Sequence, residues 1–356
     1  MRKMIDRMKK NKVIAIASVS SIIVGILLTV MGMTYYKYQI AQLEITDTTD
    51  DREYKYHYAI ISEDKDEGYW EAIYQGALNQ GKEEDAYVEE LGGNLSVSYS
   101  LVDLMKIAIA SKVDGIILEP TGNEEIVGLI DEAYARGIPV VTVLKDALPS
   151  DSAKPINRIS VVALNSWRQG QAYGKQVLEL IDQGKNNITV LMNGDQNTSQ
   201  RIIYASILTM IGSRKVTVKS ASINTESAFS SAEDIRNIIM DQEDPTDLLV
   251  CLNAMDTLSA YQAVVDYNKV GEIDIIGYYY SDMILRAIDK NIVHSTMTFD
   301  AGQMGAYCVE ALTEYLKTKN VNEYYSLDID VINKDNVSRY LTMSEQNQSK
   351  STGTQE

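Results

Sequence analysis

Four carboxylates crowd one short stretch, Glu63, Asp64, Asp66 and Glu67, and such a cluster could hold a hard cation. The run has neither the glycine placement nor the distal glutamate of a calcium loop, so it reads as a solvated acidic loop. The two histidines, His57 and His294, are far apart and lack ligand-like spacing, which argues against a metal site. Cys251 sits in the apolar run LLVCL and Cys308 in a helical pattern. Both read as small buried hydrophobes, and a single bridge between them stays open. Gly92–Gly93 and Asn193–Gly194 are turn signals, and neither forms a phosphate-cradling loop. No Ser-His-Asp, Cys-His or activated-lysine arrangement is visible. The expectation is a protein that is not an enzyme and needs no cofactor or metal.

The elements that would carry any site begin with a membrane segment. Residues 13–33, VIAIASVSSIIVGILLTVMGM, are 21 uncharged residues, enough for a helix across ~30 Å of hydrocarbon. Basic residues precede it: Arg2, Lys3, Arg7, Lys9, Lys10 and Lys12 stand against Asp6. The positive-inside rule then keeps residues 1–12 cytoplasmic and puts everything after residue 33 outside. A cleaved signal peptide would have a shorter apolar run and small residues at its exit, and a lipoprotein would need a cysteine there; MGMTYYKYQ offers neither. The reading is an uncleaved signal-anchor with a polar stalk over 34–54. The net charge is −17 despite the basic start, so the outer part is more acidic still and repels phosphate backbones. Nucleic acid is not an expected partner.

Beyond the stalk, short apolar runs alternate with helical periodicity. After a first strand in YAII, strands are expected at 114–118, 138–143, 159–164, 188–192, 216–220, 248–252, 273–278 and 295–299. Helices are expected at 69–82, 124–136, 170–181, 201–211, 232–240, 258–267, 283–289 and 302–317. Apolar strands without polar alternation imply burial on both faces, and alternation with helices implies parallel βαβ units. There are too many strands for one comfortable open sheet. VDGIILEPTGNEEIVGLIDEAYARGIPVVTV and TDLLVCLNAMDTLSAYQAVVDYNKVGEIDIIGY share one layout, so two similar lobes are expected. Ligands bind at the carboxyl ends of strands in such sheets. The polar tail 344–356 reads as disordered.

The order of these elements resembles the periplasmic-binding-protein type 1 family, the ribose- and galactose-binding relatives of the sugar-responsive repressors. The resemblance rests on YAIISEDKDEGYWEAIYQGA, VDGIILEP, RGIPVVTV, VVALNSWRQGQAYG, LLVCLNAMDTLSAYQAV, IDIIGYYYSDMILRAI and STMTFDAGQMGAYCVEAL, in that order, over roughly 55–335. It implies an α/β fold of two doubly wound parallel-sheet lobes joined by a three-stranded hinge. The crossings would fall near Asn165, Phe299 and Tyr324. Lobe one would hold 55–164 and 300–324, and lobe two 165–299 and 325–343. Hinged lobes of this kind close on ligand by a population shift.

The resemblance also implies contacts. Ser62 falls where the family often places a hydroxyl. Tyr69 and Trp70 match its aromatic pair, suited to the apolar face of a sugar ring. Only one of two adjacent helical positions points fully inward. Arg201 matches a lobe-two arginine, Phe229 a further aromatic and Asn253 a strand-end asparagine, which could equally cap the next helix. Three positions depart from the family. Leu144 and Lys145, with Asp146 next, stand where an aspartate–arginine pair is common. Tyr278, Tyr279 and Tyr280 follow the IIG strand in place of an aspartate, and the nearest carboxylate is Asp282. Phe299, with Asp300 beside it, replaces a polar residue at the third crossing strand. The implied pocket is aromatic and poor in bidentate charge.

The functional expectation is an extracytoplasmic solute-binding protein that takes a small, sugar-like ligand between its lobes and presents it to an ABC-type sugar importer. A ligand-sensing subunit for a membrane histidine kinase is the alternative. A non-binding scaffold or an enzyme on the same fold stands further off, since fold does not fix function.

Overall fold

Runs of four to six apolar residues need cover on both faces, and each becomes a strand, most of them flanked by helices. In a computed structural model the chain is described over residues 53–62, 68–93, 99–121, 123–147, 156–193, 198–224 and 228–352. Lobe one starts with β1 (Tyr56–Ile61), α1 (Trp70–Glu83), β2 (Ala86–Glu90), α2 (Leu101–Ser111), β3 (Gly115–Leu118), α3 (Glu124–Ala135), β4 (Val140–Leu144) and β5 (Ser160–Leu164). Lobe two follows with α4 (Ser166–Asp182), β6 (Asn187–Met192), α5 (Thr198–Ile211), β7 (Thr217–Ser222), α6 (Ala228–Met240), β8 (Leu248–Cys251), α7 (Ala254–Asp266), β9 (Asp274–Tyr278), α8 (Asp282–Asp289) and β10 (Ser295–Thr298). The chain then returns to lobe one for α9 (Ala301–Thr318) and β11 (Tyr324–Leu327), and ends on lobe two with β12 (Asp330–Asn333) and α10 (Val337–Thr352).

The sheets run β11-β5-β4-β3-β1-β2 and β12-β10-β9-β8-β6-β7. All pairings are parallel except β12, which lies antiparallel to β10. Each sheet has a core on both faces. In lobe one, Trp70, Ile73, Met304 and Leu312 fill one side, and Leu104, Met105, Ile126 and Ile130 the other. In lobe two, Tyr173, Val177 and Ile207 oppose Ile235, Val264, Ile284 and Leu285.

Two crossings double as helix starts. Asn165 Oδ1 accepts from the N–H of Trp167 (3.1 Å) and of Arg168 (3.0 Å), capping α4. Asp300 Oδ1 accepts from Gln303 N–H at 2.8 Å, capping α9. Such caps satisfy N–H groups that a helix leaves unpaired, each contributing about 1 kcal/mol. Helices α1 and α9 approach closely because glycines face each other. A Cβ on Gly76 would run into the Gly302 carbonyl, and one on Gly305 into the Ile73 carbonyl.

Three expectations change. The third crossing lies at Asp328–Ile329 and not near Tyr324, because Tyr324–Leu327 pairs in register with Val161–Leu164 in lobe one. Strand β2 and helix α2 add to the expected elements. The tail expected to be disordered from Ser344 continues as helix to Thr352. Its first turns are anchored by Val337, Tyr340 and Leu341 on the lobe-two core, and the helix runs on from there. No helix among the described residues is long and apolar enough to cross a membrane; the span at 13–33 lies outside them, as does the acidic loop 63–67. Both cysteines are free and lie in the cores of different lobes, so the bridge left open does not form.

Candidate ligand-binding cleft

The carboxyl ends of β3, β4 and β5 meet those of β6, β8 and β9 across a cavity of about 190 Å³. From lobe one come Tyr69, Glu119, Leu144, Lys145 and Leu164. From lobe two come the amides Gln169, Asn193, Gln200 and Asn253, with Ser199 and Tyr278. Both lobes therefore supply polar groups to the cavity.

Glu119 is the charged centre of the lobe-one wall. It follows β3, its N–H donates to Ile61 O at 2.9 Å, and it is 5% exposed. Its Oε2 accepts from Ser62 Oγ at 2.6 Å. Its Oε1 lies 3.1 Å from Lys145 Nζ. A carboxylate this buried needs such partners. The lysine is aimed by an unusual turn. Lys145 N–H donates to Val143 O at 2.8 Å around Leu144, whose φ is +66°. A leucine seldom takes that left-handed backbone, and here it places the lysine against Glu119. Asp146 points elsewhere: Arg158 grips it with Nε and one terminal nitrogen, each at 2.8 Å. Asp146 and Arg158 line an adjoining cavity of about 290 Å³ that shares Leu144, Lys145, Leu164, Ser166 and Ser199 with the cleft.

A run of rings crosses the hinge. Tyr69 meets Tyr279 edge-on at 5.3 Å and Tyr278 at 6.3 Å, with Phe299 tilted at 5.8 Å. Tyr279 stacks on Tyr280 at 5.0 Å, and Tyr280 meets Tyr340 of α10. Edge-to-face and offset pairs at these separations stabilise by about 0.5–1.5 kcal/mol each beyond area burial. Tyr279 is 7% exposed with φ of +57°. Burial pushes its hydroxyl up, and it serves the hinge packing more than the cavity.

Behind lobe two's wall lies a buried carboxylate. Asp256 accepts from Ser231 Oγ at 2.8 Å and from Asn253 Nδ2 at 2.5 Å. Burial, the largest influence, pushes its carboxyl up, while those two bonds pull it down. A carboxyl raised on folding binds its proton more tightly in the folded state. Stability is then gained as pH falls through the raised folded value towards the unfolded ~3.9. Asp256→Asn is expected to lose that gain. Melting curves at neutral pH and near pH ~4 should show the gap between parent and variant widening on the acid side; a constant gap would refute it.

Of the residues singled out by resemblance, Tyr69, Lys145 and Asn253 line the cleft, Asp146 lines the adjoining cavity, and Ser62 braces Glu119. The others lie elsewhere. Trp70 is 1% exposed in the lobe-one core, and its Nε1 donates to Glu90 Oε1 at 2.9 Å. The inward turn of α1 falls on Trp70 and leaves Tyr69 to the cleft. Arg201 is exposed on α5, one step round the helix from the lining residues Ser199, Gln200 and Ile203. Phe229 is 78% exposed at the start of α6 and does not line the cavity. Asp282 accepts from Ser344 Oγ, Phe299 is packed in the ring cluster, and Asp300 caps α9. Glu119, Gln169 and Gln200 are among the cleft residues that sequence reading passes over, and Asn193 is read there only as a turn. Only their place at strand ends and in first helical turns could have marked them. Tyr173, also at the cavity, donates to Cys251 O at 2.9 Å and lies 3.2 Å from Gly277 O, tying β8 to β9. Among the described residues no cluster could hold a metal.

The family described as periplasmic binding protein domain matches residues 58–320. Among solved structures, the XylFII molecule is 26% identical with a TM-score of 0.65, over 79% of this chain and 99% of that one. The XylFII-LytSN complex gives 28% identity and a TM-score of 0.66, over 79% and 98%. GanP, a glucose-galactose binding protein from Geobacillus stearothermophilus, shares the fold at 22% identity and a TM-score of 0.69, over 79% and 98%. No curated protein matches the chain.

Proposed function

The chain belongs to the periplasmic binding protein domain family, and on that footing we propose that it is an extracytoplasmic solute-binding protein that closes its lobes on a small, sugar-like ligand. The observation that carries this is the cleft of about 190 Å³ with a buried carboxylate on one lobe and amides on the other. Its polar groups suit hydroxyls, and Tyr69 offers an apolar surface beside them. Residues 13–33 would anchor the protein, with residues 1–12 in the cytoplasm and the lobes outside. Tethering raises the effective concentration at a membrane partner. That partner is an ABC-type importer in the first reading. The second is a sensor that reports ligand to a membrane histidine kinase. It is favoured by one observation, that the 28% identical XylFII occurs in a complex with LytSN.

A thermal-shift screen of the full chain against monosaccharides, disaccharides, amino sugars, polyols and short peptides tests the binding role. A ligand at a hundredfold over its dissociation constant should stabilise by ~2.7 kcal/mol, a shift of several degrees. Tyr69→Ala is expected to weaken the best hit by tenfold or more. A folded sample that shifts with no compound refutes the proposal.

A further inference from the structure

A main-chain N–H can only donate, and one such group fixes the polarity of the lobe-two wall. The N–H of Asp256 donates to the side chain of Asn253 at 2.7 Å, so the atom it meets is the amide oxygen. The Asn253 Nδ2 group then faces the other way. It donates to Asp256 Oδ2 at 2.5 Å and to Asn193 Oδ1 at 2.7 Å, which commits both of its hydrogens inside the protein. Asp256 is 0% exposed, so the bond to it is not open to exchange with water. For Asn253 to donate to a ligand it would have to leave a buried acceptor unpaired, which is costly.

The chain of bonds ends at Asn193. Its oxygen is taken by Asn253, and its own N–H donates to Gln200 Oε1 at 2.7 Å. It lines the cleft, and no described residue accepts from its Nδ2. We propose that Asn193 is the hydrogen-bond donor by which lobe two selects its ligand, and that Asn253 is a positioning residue that turns it. This rests on the solute-binding reading and narrows the ligand class. The ligand is a neutral polyhydroxylated molecule that offers an oxygen acceptor to Asn193 and a hydroxyl hydrogen to Glu119. Glu119 is acceptor-only when ionised, and each of its oxygens keeps a second lone pair beyond Ser62 and Lys145. A ligand carboxylate on that side would meet like charge.

The experiment is titration calorimetry of the full chain with the neutral sugar or polyol of largest thermal shift and with the matching sugar acid. Asn193→Asp keeps the size and still accepts from Asn253, but has no hydrogen to donate. It is expected to lose tenfold or more in affinity for the neutral ligand while its unliganded melting temperature stays near the parent's. Asn193→Ala is expected to lose as much. Glu119→Gln is expected to narrow the preference for the neutral ligand over its acid by tenfold or more. Neutral-ligand affinity within twofold of the parent in both Asn193 variants overturns the assignment alone. A parent that binds no member of the panel overturns both the assignment and the reading beneath it.

Discussion

Trp70→Ala is expected to cost about 3–5 kcal/mol of stability and to leave ligand affinity unchanged in the protein that still folds. The side chain shares the lobe-one core with Tyr58, Ile60, Val88 and Met304, and nothing smaller fills its volume. Its loss also strips Glu90 Oε1 of a donor. Trp70→Phe keeps most of the volume and forfeits the hydrogen bond, so about 1–2 kcal/mol is expected. Denaturant unfolding and ligand titration of both variants check this. A stable Trp70→Ala that no longer binds would put the indole at the cleft after all.

Gly305→Ala is expected to destabilise by about 3 kcal/mol, at the upper end of overpacking. The new methyl would press on the Ile73 carbonyl and lie 2.8 Å from Ala77 N. Both are backbone atoms of α1, which cannot rotate away as a side chain could. Helices α1 and α9 would have to part, and the core between them would open. The same substitution at Gly128, on the exposed face of α3 with nothing within 4 Å, should stabilise by about 0.5–1 kcal/mol through helix propensity. Opposite signs in one unfolding assay support the packing argument. Equal effects would show that α1 and α9 are not in backbone contact.

The central strands are legible because burial on both faces leaves no polar alternation: GIIL and LLVC are apolar throughout and buried throughout. Strand β2 escapes that reading because AYVEE lies at the sheet edge, where every second residue meets water. The third crossing escapes it because YYSLDIDVIN is continuous in pattern while two residues carry the chain between lobes. At the site, the aromatic pair announces itself, but only helical phase decides that Tyr69 and not Trp70 reaches the cleft. Glu119 and Asn193 are single polar residues after strands, a position that turn residues share. Their meaning comes from partners distant in sequence, Lys145 for one and Asn253 for the other. Arg201 has the charge a ligand contact would want, and its place on α5 turns it to solvent.

The returning passage through α9 and β11 governs the order in which the molecule can be assembled. Lobe two runs almost uninterrupted from α4 to β10, so most of its contacts form between neighbouring segments. Lobe one lacks the helix that covers Trp70, Ile73 and Ala77 until α9 has been made, after nearly all of lobe two. Its edge beside β5 stays open until β11 arrives. On a chain emerging from its amino end, the first lobe begun is therefore still incomplete when nearly all of the second has been made, with an apolar helix face bare in the interval.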